Sequence, residues 1–363
     1  MIRTTAWLRL GHLLPFAFLA SVPLGAALGG DGATALPAAL LAGFVAADCL
    51  IGRAPDLADP GPAALPHRLL PWLYIPLQLG VIVWSAITVS RPGTPLSSVL
   101  GLAMVVGALS GIFGLLAAHE MVHSRDRRER ALGALMLTAV QYRHFRIAHL
   151  YGHHRLAATE LDPTTARRGE SAYHFLGRAI VGQLVLAYRF ERRRLADRWH
   201  APLTNRIHQD LALGGMIAVG LAAVLGWRAL LFYALHAAIA VSLLELFNYI
   251  AHYGLLRRKL ANGKREPMQD AHSWNSRRML NNFALFNMGH HSHHHRAPSR
   301  AYQRLRRVAD SPELPCGYAG TVLLALLPPL WRRIMDPRID RYCASAAPRT
   351  RPPASCSTTA TRS

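Results

Sequence analysis

"LSSVLGLAMVVGALSGIFGLLAAHEMVH" occupies residues 96–123. Residues 96–118 carry no charge and are long enough for a helix to cross a hydrocarbon core of about 30 Å. The helix then runs into His119 and His123. Spaced i, i+4, these two imidazoles share one helix face, one turn apart. A span that ends in paired imidazoles sets the reading of the whole chain: apolar helices that carry a polar site at one end.

Working outward, the same texture recurs. Further apolar blocks cover 13–28, 35–51 and 70–89 before this stretch, and 211–225 and 229–250 after it. The turn "GGDGAT" separates the first two, and "GWR" joins the last two. The chain has 363 residues, is 51% hydrophobic and only 17% charged, and carries a formal charge of +21. A nucleic-acid binder spreads its basic residues over a folded polar surface. Here the arginines fall between apolar blocks, which excludes that class and matches cytoplasmic loops of an inner-membrane protein. The four cysteines form no C-x-x-C pair, against a zinc ribbon, a fused rubredoxin-type centre or a disulfide framework. They read as isolated thiols.

The expected fold is all-α and polytopic, with six spans in three hairpins. Arginines cluster after spans two and four and near the C-terminus, so both termini and the 119–209 segment are expected in the cytoplasm. Cleavage of the first block as a signal peptide is disfavoured, because no clear cleavage site follows it and a second span comes at once. "AGTVLLALLPPLWRRIM" (319–335) is too short to span and reads as packed or interfacial. Residues 1–343 form the membrane-embedded domain, and 344–363 read as a disordered cytoplasmic tail.

Three more histidine groups follow "HEMVH": "HLYGHH" with His149, His153 and His154, "NYIAHYG" with His252, and "GHHSHHH" with His291, His294 and His295. Two of them place one histidine ahead of an adjacent pair. An adjacent pair can reach two neighbouring metals. The total exceeds the three or four protein ligands of one zinc site, so two metals are the economical count. Imidazole suits iron, zinc, copper or nickel, and the ligand type alone leaves these open.

These boxes, in this order behind four apolar blocks, resemble the membrane-bound alkane monooxygenases, within the histidine-rich di-iron desaturases and hydroxylases. "DPTTARRGESAY" (162–173), "HSWNS" (272–276), "RAYQRLR" (300–306) and "LPCGYAG" (314–320) extend the resemblance to roughly residues 10–340. It implies two irons held by His119, His123, His149, His153, His154, His252, His291, His294 and His295. It also implies dioxygen as co-substrate, electrons from a rubredoxin or ferredoxin with its reductase, and a hydrophobic substrate taken from the bilayer. Terminal hydroxylation of a medium- or long-chain alkane is the implied reaction. Hydroxylation of aromatic methyl groups, of the xylene monooxygenase type, and lipid desaturation are the alternatives.

The chain departs from the family pattern. Ala148 and Ala251 stand where glutamates usually precede the second- and third-box histidines, and Gly289, His290 and His293 replace the usual residues of the last box. Glu245, seven residues before His252, shares its helix face and is a candidate replacement. Glu120, Glu245 and Asp162 are the candidate catalytic carboxylates. Asp162 and Glu170 are candidates to hydrogen-bond ligand imidazoles, as are His144 and His272 to support them. His290 and His293 are expected to face solvent or polar neighbours. Spans two and three and the last helix are expected to line the substrate channel. The resemblance puts Leu40 near the span-two position where a bulky residue limits chain length, and leucine there would permit longer substrates. Two other classes compete. A zinc protease built on "HEMVH" leaves the other boxes unexplained, and a metal transporter needs polar ligands inside several spans, where Asp48, His236 and Glu245 are the main exceptions.

Overall fold

A computed structural model describes residues 10–53, 65–198, 203–309 and 311–346. Among the described residues no strand forms, and three isolated β-bridges are the only extended pairings. In chain order the helices are α1 (Leu14–Ala27), α2 (Gly32–Leu50), α3 (Leu65–Val89) and α4 (Leu96–Val122). Then come α5 (Arg127–Ala139), α6 (145–156), α7 (Ala172–Leu195), α8 (Arg206–Leu225) and α9 (Trp227–His252). The chain ends with α10 (Met279–Ala284), α11 (His291–Arg296), α12 (Tyr318–Ala325) and α13 (Pro328–Ala346).

Five helices, α2, α3, α4, α8 and α9, are long and apolar enough to cross a membrane. The expected sixth span is shorter. With its leading turn, α1 is an apolar stretch of 17 residues, Gly11–Ala27, at the lower limit for spanning. It folds back on α2 through Gly29 and Gly30, whose φ of 81° and 54° few side chains tolerate.

Two spans run further than expected. α4 continues to Val122 and α9 to His252, a few residues past the expected ends at 118 and 250, so each span runs into its histidine group as the spacing implied. α8 begins at Arg206, where the Asn205 side chain accepts the Ile207 N–H at 2.9 Å.

Burial ranks the spans. The apolar window of α4 is 72% buried, against 17% for α2 and α8. α4 is therefore the centre of the bundle. Leu73, Leu77, Val83 and Ile87 of α3 and Met216, Val219 and Val224 of α8 point outward, as lipid-facing residues do. α4 crosses α9 at Gly107 and Gly111. A Cβ on Gly111 would lie 2.8 Å from the Ala240 carbonyl oxygen, so only glycine lets the backbones approach this closely. This crossing sets the helix ending in His119 beside the helix ending in His252. Gln78 of α3 ties in by donating to Ser110 Oγ at 2.8 Å, and Ser110 Oγ pairs with His236 Nε2 at 2.8 Å.

α7 was not foreseen. It is amphipathic, burying Phe175, Ala179, Leu186 and Ala187 and exposing Arg192, Arg193 and Arg194. Its buried face braces α6. Residues 319–335 divide between α12 and α13, where Trp331 is fully buried, so this segment is packed. α13 continues three residues into the expected tail, and residues 347–363 lie outside the described residues. Among the described residues Cys49 and Cys316 are free thiols, as expected.

Candidate metal centre

Local helix geometry sorts the histidines. His119 and His123 lie one turn apart on α4, with ring centroids 4.8 Å apart. In α6 the chain widens into a π turn, Ala148–His153, and the His154 N–H bonds the His149 carbonyl. That i→i+5 spacing puts His149 and His154 on one face, their Nε2 atoms 3.0 Å apart. His153, one residue earlier, turns toward a different set of rings. Wide turns of this kind are common at functional sites. On α11, His291 and His295 align one turn apart, with Nε2 atoms 3.1 Å apart, and His294 occupies the adjoining face. α11 is held in place by Asn275, whose side chain accepts the Ser292 N–H at 2.9 Å and donates to Ser292 Oγ at 2.8 Å.

The nine histidines form two adjoining groups. His119, His123, His149, His154 and His294 make the first, and His153, His252, His291 and His295 the second. Within each group the candidate ligand atoms all lie within 4.8 Å of one another. Each adjacent pair splits between the groups: His153 from His154, and His294 from His295. Ring centroids of His154 and His295 are 4.8 Å apart, so the groups touch.

The spacing fits a metal. In the second group, Nε2 of His252 lies 3.2 Å from those of His291 and His295. In the first, Nε2 of His123 lies 3.0 Å from that of His149 and 3.1 Å from that of His154. A metal such as zinc holds imidazole nitrogens at about 2.1 Å, which separates neighbouring nitrogens by roughly 3.0 Å at a right angle and 3.4 Å at the tetrahedral angle. His153 adds a direct sign. Its Nδ1 lies 2.9 Å from Asp162 Oδ2, and its buried Nε2 has no hydrogen-bond partner. A bare imidazole nitrogen facing other imidazoles is satisfied by a cation.

Burial, and then the neighbouring imidazoles, hold His149, His154, His291, His294 and His295 well below the ordinary imidazole value. They are therefore neutral, the form that binds metal. Burial pushes the Asp162 carboxyl up, but His153 and the Thr165 hydroxyl outweigh it and hold Asp162 at about 2. Asp162 stays anionic and accepts a hydrogen bond from the Nδ1–H of His153, leaving Nε2 free. The His272 carbonyl does the same for His252, 3.2 Å from its Nδ1.

The other expected residues divide. Glu120 is adjacent to His119, and its Oε1 accepts the Tyr302 backbone N–H at 3.0 Å. It lines a cavity of about 240 Å³ together with Arg68, Trp72, His123, Arg125 and Arg300. Glu245 is fully buried and bonds the Tyr142 hydroxyl at 2.8 Å and Asn248 at 3.2 Å, rather than a histidine. Glu170 pairs with Arg178 and His174 and braces α7 instead of a candidate ligand, because Arg178 draws both its oxygens. His272 acts through its backbone carbonyl, while its ring faces Glu266 at 3.2 Å. His144 packs edge-on to Tyr142. His293 does not face solvent. It is buried, with Arg300 at 3.2 Å from one ring nitrogen and the Arg306 N–H at 3.0 Å from the other. Leu40 points outward from α2, while Phe44 points inward against Phe18. Thr164, 2.8 Å from His153 Nδ1, was missed. The turn-forming Asp-Pro-Thr-Thr sequence was its signal, since Asp162 Oδ1 accepts the Thr164 N–H at 3.1 Å.

Comparison with known proteins agrees with this geometry. The fatty acid desaturase family model matches residues 95–321, which contain all nine histidines. Alkane 1-monooxygenase 2 of Pseudomonas aeruginosa is 37% identical over 308 residues, covering 82% of this chain and 81% of the relative. Alkane 1-monooxygenase 1 of the same organism is 38% identical, covering 82% and 80%. The xylene/toluene monooxygenase hydroxylase component XylM of Pseudomonas putida is 30% identical, covering 72% and 71%. With its spans and histidine groups in this arrangement, the chain belongs to the alkane 1-monooxygenases, within the fatty acid desaturase family.

Proposed function

We propose that this chain hydroxylates the terminal methyl group of a medium- or long-chain alkane, using dioxygen and a pair of iron ions. The observation that carries the reading is the meeting of nine histidines as two touching groups at the ends of α4 and α9. One zinc ion needs three or four protein ligands, so a protease built on His119 and His123 would leave the second group idle. The 37–38% identity to alkane 1-monooxygenases, against 30% to XylM, favours an alkane over an aromatic methyl group.

Iron bound by the two groups would supply the redox chemistry that activates dioxygen. The chain's own residues do the rest. His119, His123, His149, His154 and His294 would hold one ion, and His153, His252, His291 and His295 the other. Asp162 and the His272 carbonyl fix the tautomers of His153 and His252. The apolar bundle admits a substrate without polar groups, and the buried ring of Phe44 is placed to line its path. Glu120, on the cavity wall beside His123, is the carboxylate best placed to pass protons between the cavity and the centre. Glu245 acts at a distance, by fixing Tyr142 beside α6.

Topology and partners complete the reading. α1 acts as a sixth span, both termini and the histidine groups face the cytoplasm, and the chain sits in the inner membrane with lipid as its surroundings. A rubredoxin or ferredoxin delivers electrons there. The test is product analysis. The chain is expressed with a rubredoxin and its reductase and given octane, hexadecane and p-xylene separately. Gas chromatography–mass spectrometry is expected to find primary alkanols, absent in His291→Ala. Aromatic alcohols alone would overturn the alkane assignment.

A further inference from the structure

The two free thiols lie far apart in sequence and close together in the fold. Cys49 is one residue from the end of α2, and Cys316 lies in the loop leading into α12. Both border Gly320. A Cβ built on Gly320 would lie 3.0 Å from Cys316 Sγ and 3.4 Å from Cys49 Sγ, so the sulfurs are at most about 6.4 Å apart. A glycine at this position leaves both side chains room to rotate. Asp48, beside them, is 1% exposed. Its Oδ1 accepts the Asn281 N–H at 2.9 Å, while its Oδ2 points at Gly317 and has no hydrogen-bond partner. The Arg278 guanidinium donates to the Cys49 carbonyl at 3.1 Å and supplies a cation next to the thiols.

We propose that Cys49 and Cys316 are a peroxide-reactive thiol pair that closes reversibly into a disulfide joining α2 to the α12 loop. Cys49 is exposed and is the attacking thiol. Its thiolate attacks hydrogen peroxide and, with one proton, gives the sulfenic acid and water. The Cys316 thiol then attacks the sulfenic sulfur, forming the S–S bond and releasing a second water. Two thiols are oxidised and one peroxide is reduced. Burial raises the Cys316 thiol above its ordinary value, which suits a partner that stays protonated until the sulfenic acid forms. Disulfides in a reducing compartment are characteristically transient and of this sensing kind. The pair sits where it would matter, because α2 meets α10 through Asp48 and Asn281, and α10 leads to the histidines of α11. Peroxide escaping from incomplete turnover would be the natural oxidant. That source rests on the proposed monooxygenase reading, but the thiol chemistry does not.

The test uses the full chain in detergent and hydrogen peroxide as reagent. Differential alkylation and peptide mapping follow each thiol. The expected result is a Cys49–Cys316 linked peptide in the wild type, reversed by dithiothreitol. In Cys316→Ser, Cys49 should instead accumulate as a sulfenic acid that dimedone traps, and in Cys49→Ser, Cys316 should stay reduced. Wild-type protein in which both thiols stay free, or in which each is oxidised without the linked peptide, would overturn the proposal. Neither outcome bears on alkane hydroxylation.

Discussion

The two histidine groups are built from the same side chain and are unequal. In the group of four, every ring is buried and two are braced from behind, His153 by Asp162 and His252 by the His272 carbonyl. In the group of five, His123 and His154 are only half-buried, and His123 borders the cavity beside Glu120. Nδ1 of His119, His149 and His154 has no hydrogen-bond partner there. The same is true of His291 and His295 in the group of four, so the braces on His153 and His252 are what distinguish the smaller group. A braced ring keeps one tautomer and one orientation, which raises its value as a ligand. The difference teaches that burial and bracing, rather than ligand count, separate a rigid metal position from an adaptable one. The larger group is the more open of the two.

The largest effects should come from removing a histidine. His252→Ala or His123→Ala should each lower product formation by ~10³-fold or more, because neither position can work alone. Substantial turnover in either variant would break the two-position account. The next effect sharpens the contrast. Asp162→Ala should weaken metal retention in the braced group roughly 10–100-fold, read as iron lost to a chelator. Glu120→Gln should leave iron retention at the wild-type level and slow turnover alone. Equal iron loss in both variants would remove the distinction between the groups.

A pH series tests the neutrality of the rings. His149, His154, His291, His294 and His295 are held well below 6.5 in the folded chain. Unfolded, they protonate near 6.5, so below that pH the unfolded chain binds more protons. Metal-free protein should therefore keep its stability above pH 6.5 and lose it as pH falls below. Each ring costs up to about 1.4 kcal/mol one unit below 6.5. A thermal midpoint that is flat from pH 7.5 to 5.5 would contradict this. The smallest effect concerns the bundle. Leu40→Trp should leave the chain-length profile unchanged, because Leu40 faces outward. Phe44→Ala, on the inward face, should shift it, as measured by competition between octane and hexadecane.

The legible part of this molecule was the part written in spacing. Apolar blocks marked the five helices long enough to span, and single-then-paired histidines pointed to two histidine groups with each adjacent pair divided between them. Three features were not legible, each for a physical reason. The π turn in α6 depends on tertiary packing, since an i→i+5 bond leaves no residue pattern, and it decides which group His149 and His154 join. The brace on His252 is a backbone carbonyl, which any residue could supply. Glu170 and Glu245 looked equivalent to Asp162 as supports, but competing partners, Arg178 for one and Tyr142 for the other, draw them elsewhere. Leu40 and Phe44 lie one turn apart on α2, and an apolar helix with no polar face does not mark which side turns outward and which inward.

Counting metal tests the central claim most directly. Iron per chain would be measured by mass spectrometry of the purified wild type, His123→Ala and His252→Ala, with folding checked by circular dichroism. The account predicts two irons in the wild type and fewer than two in each variant. One iron or none in a folded, iron-supplied wild type, or two irons retained in both variants, would contradict it.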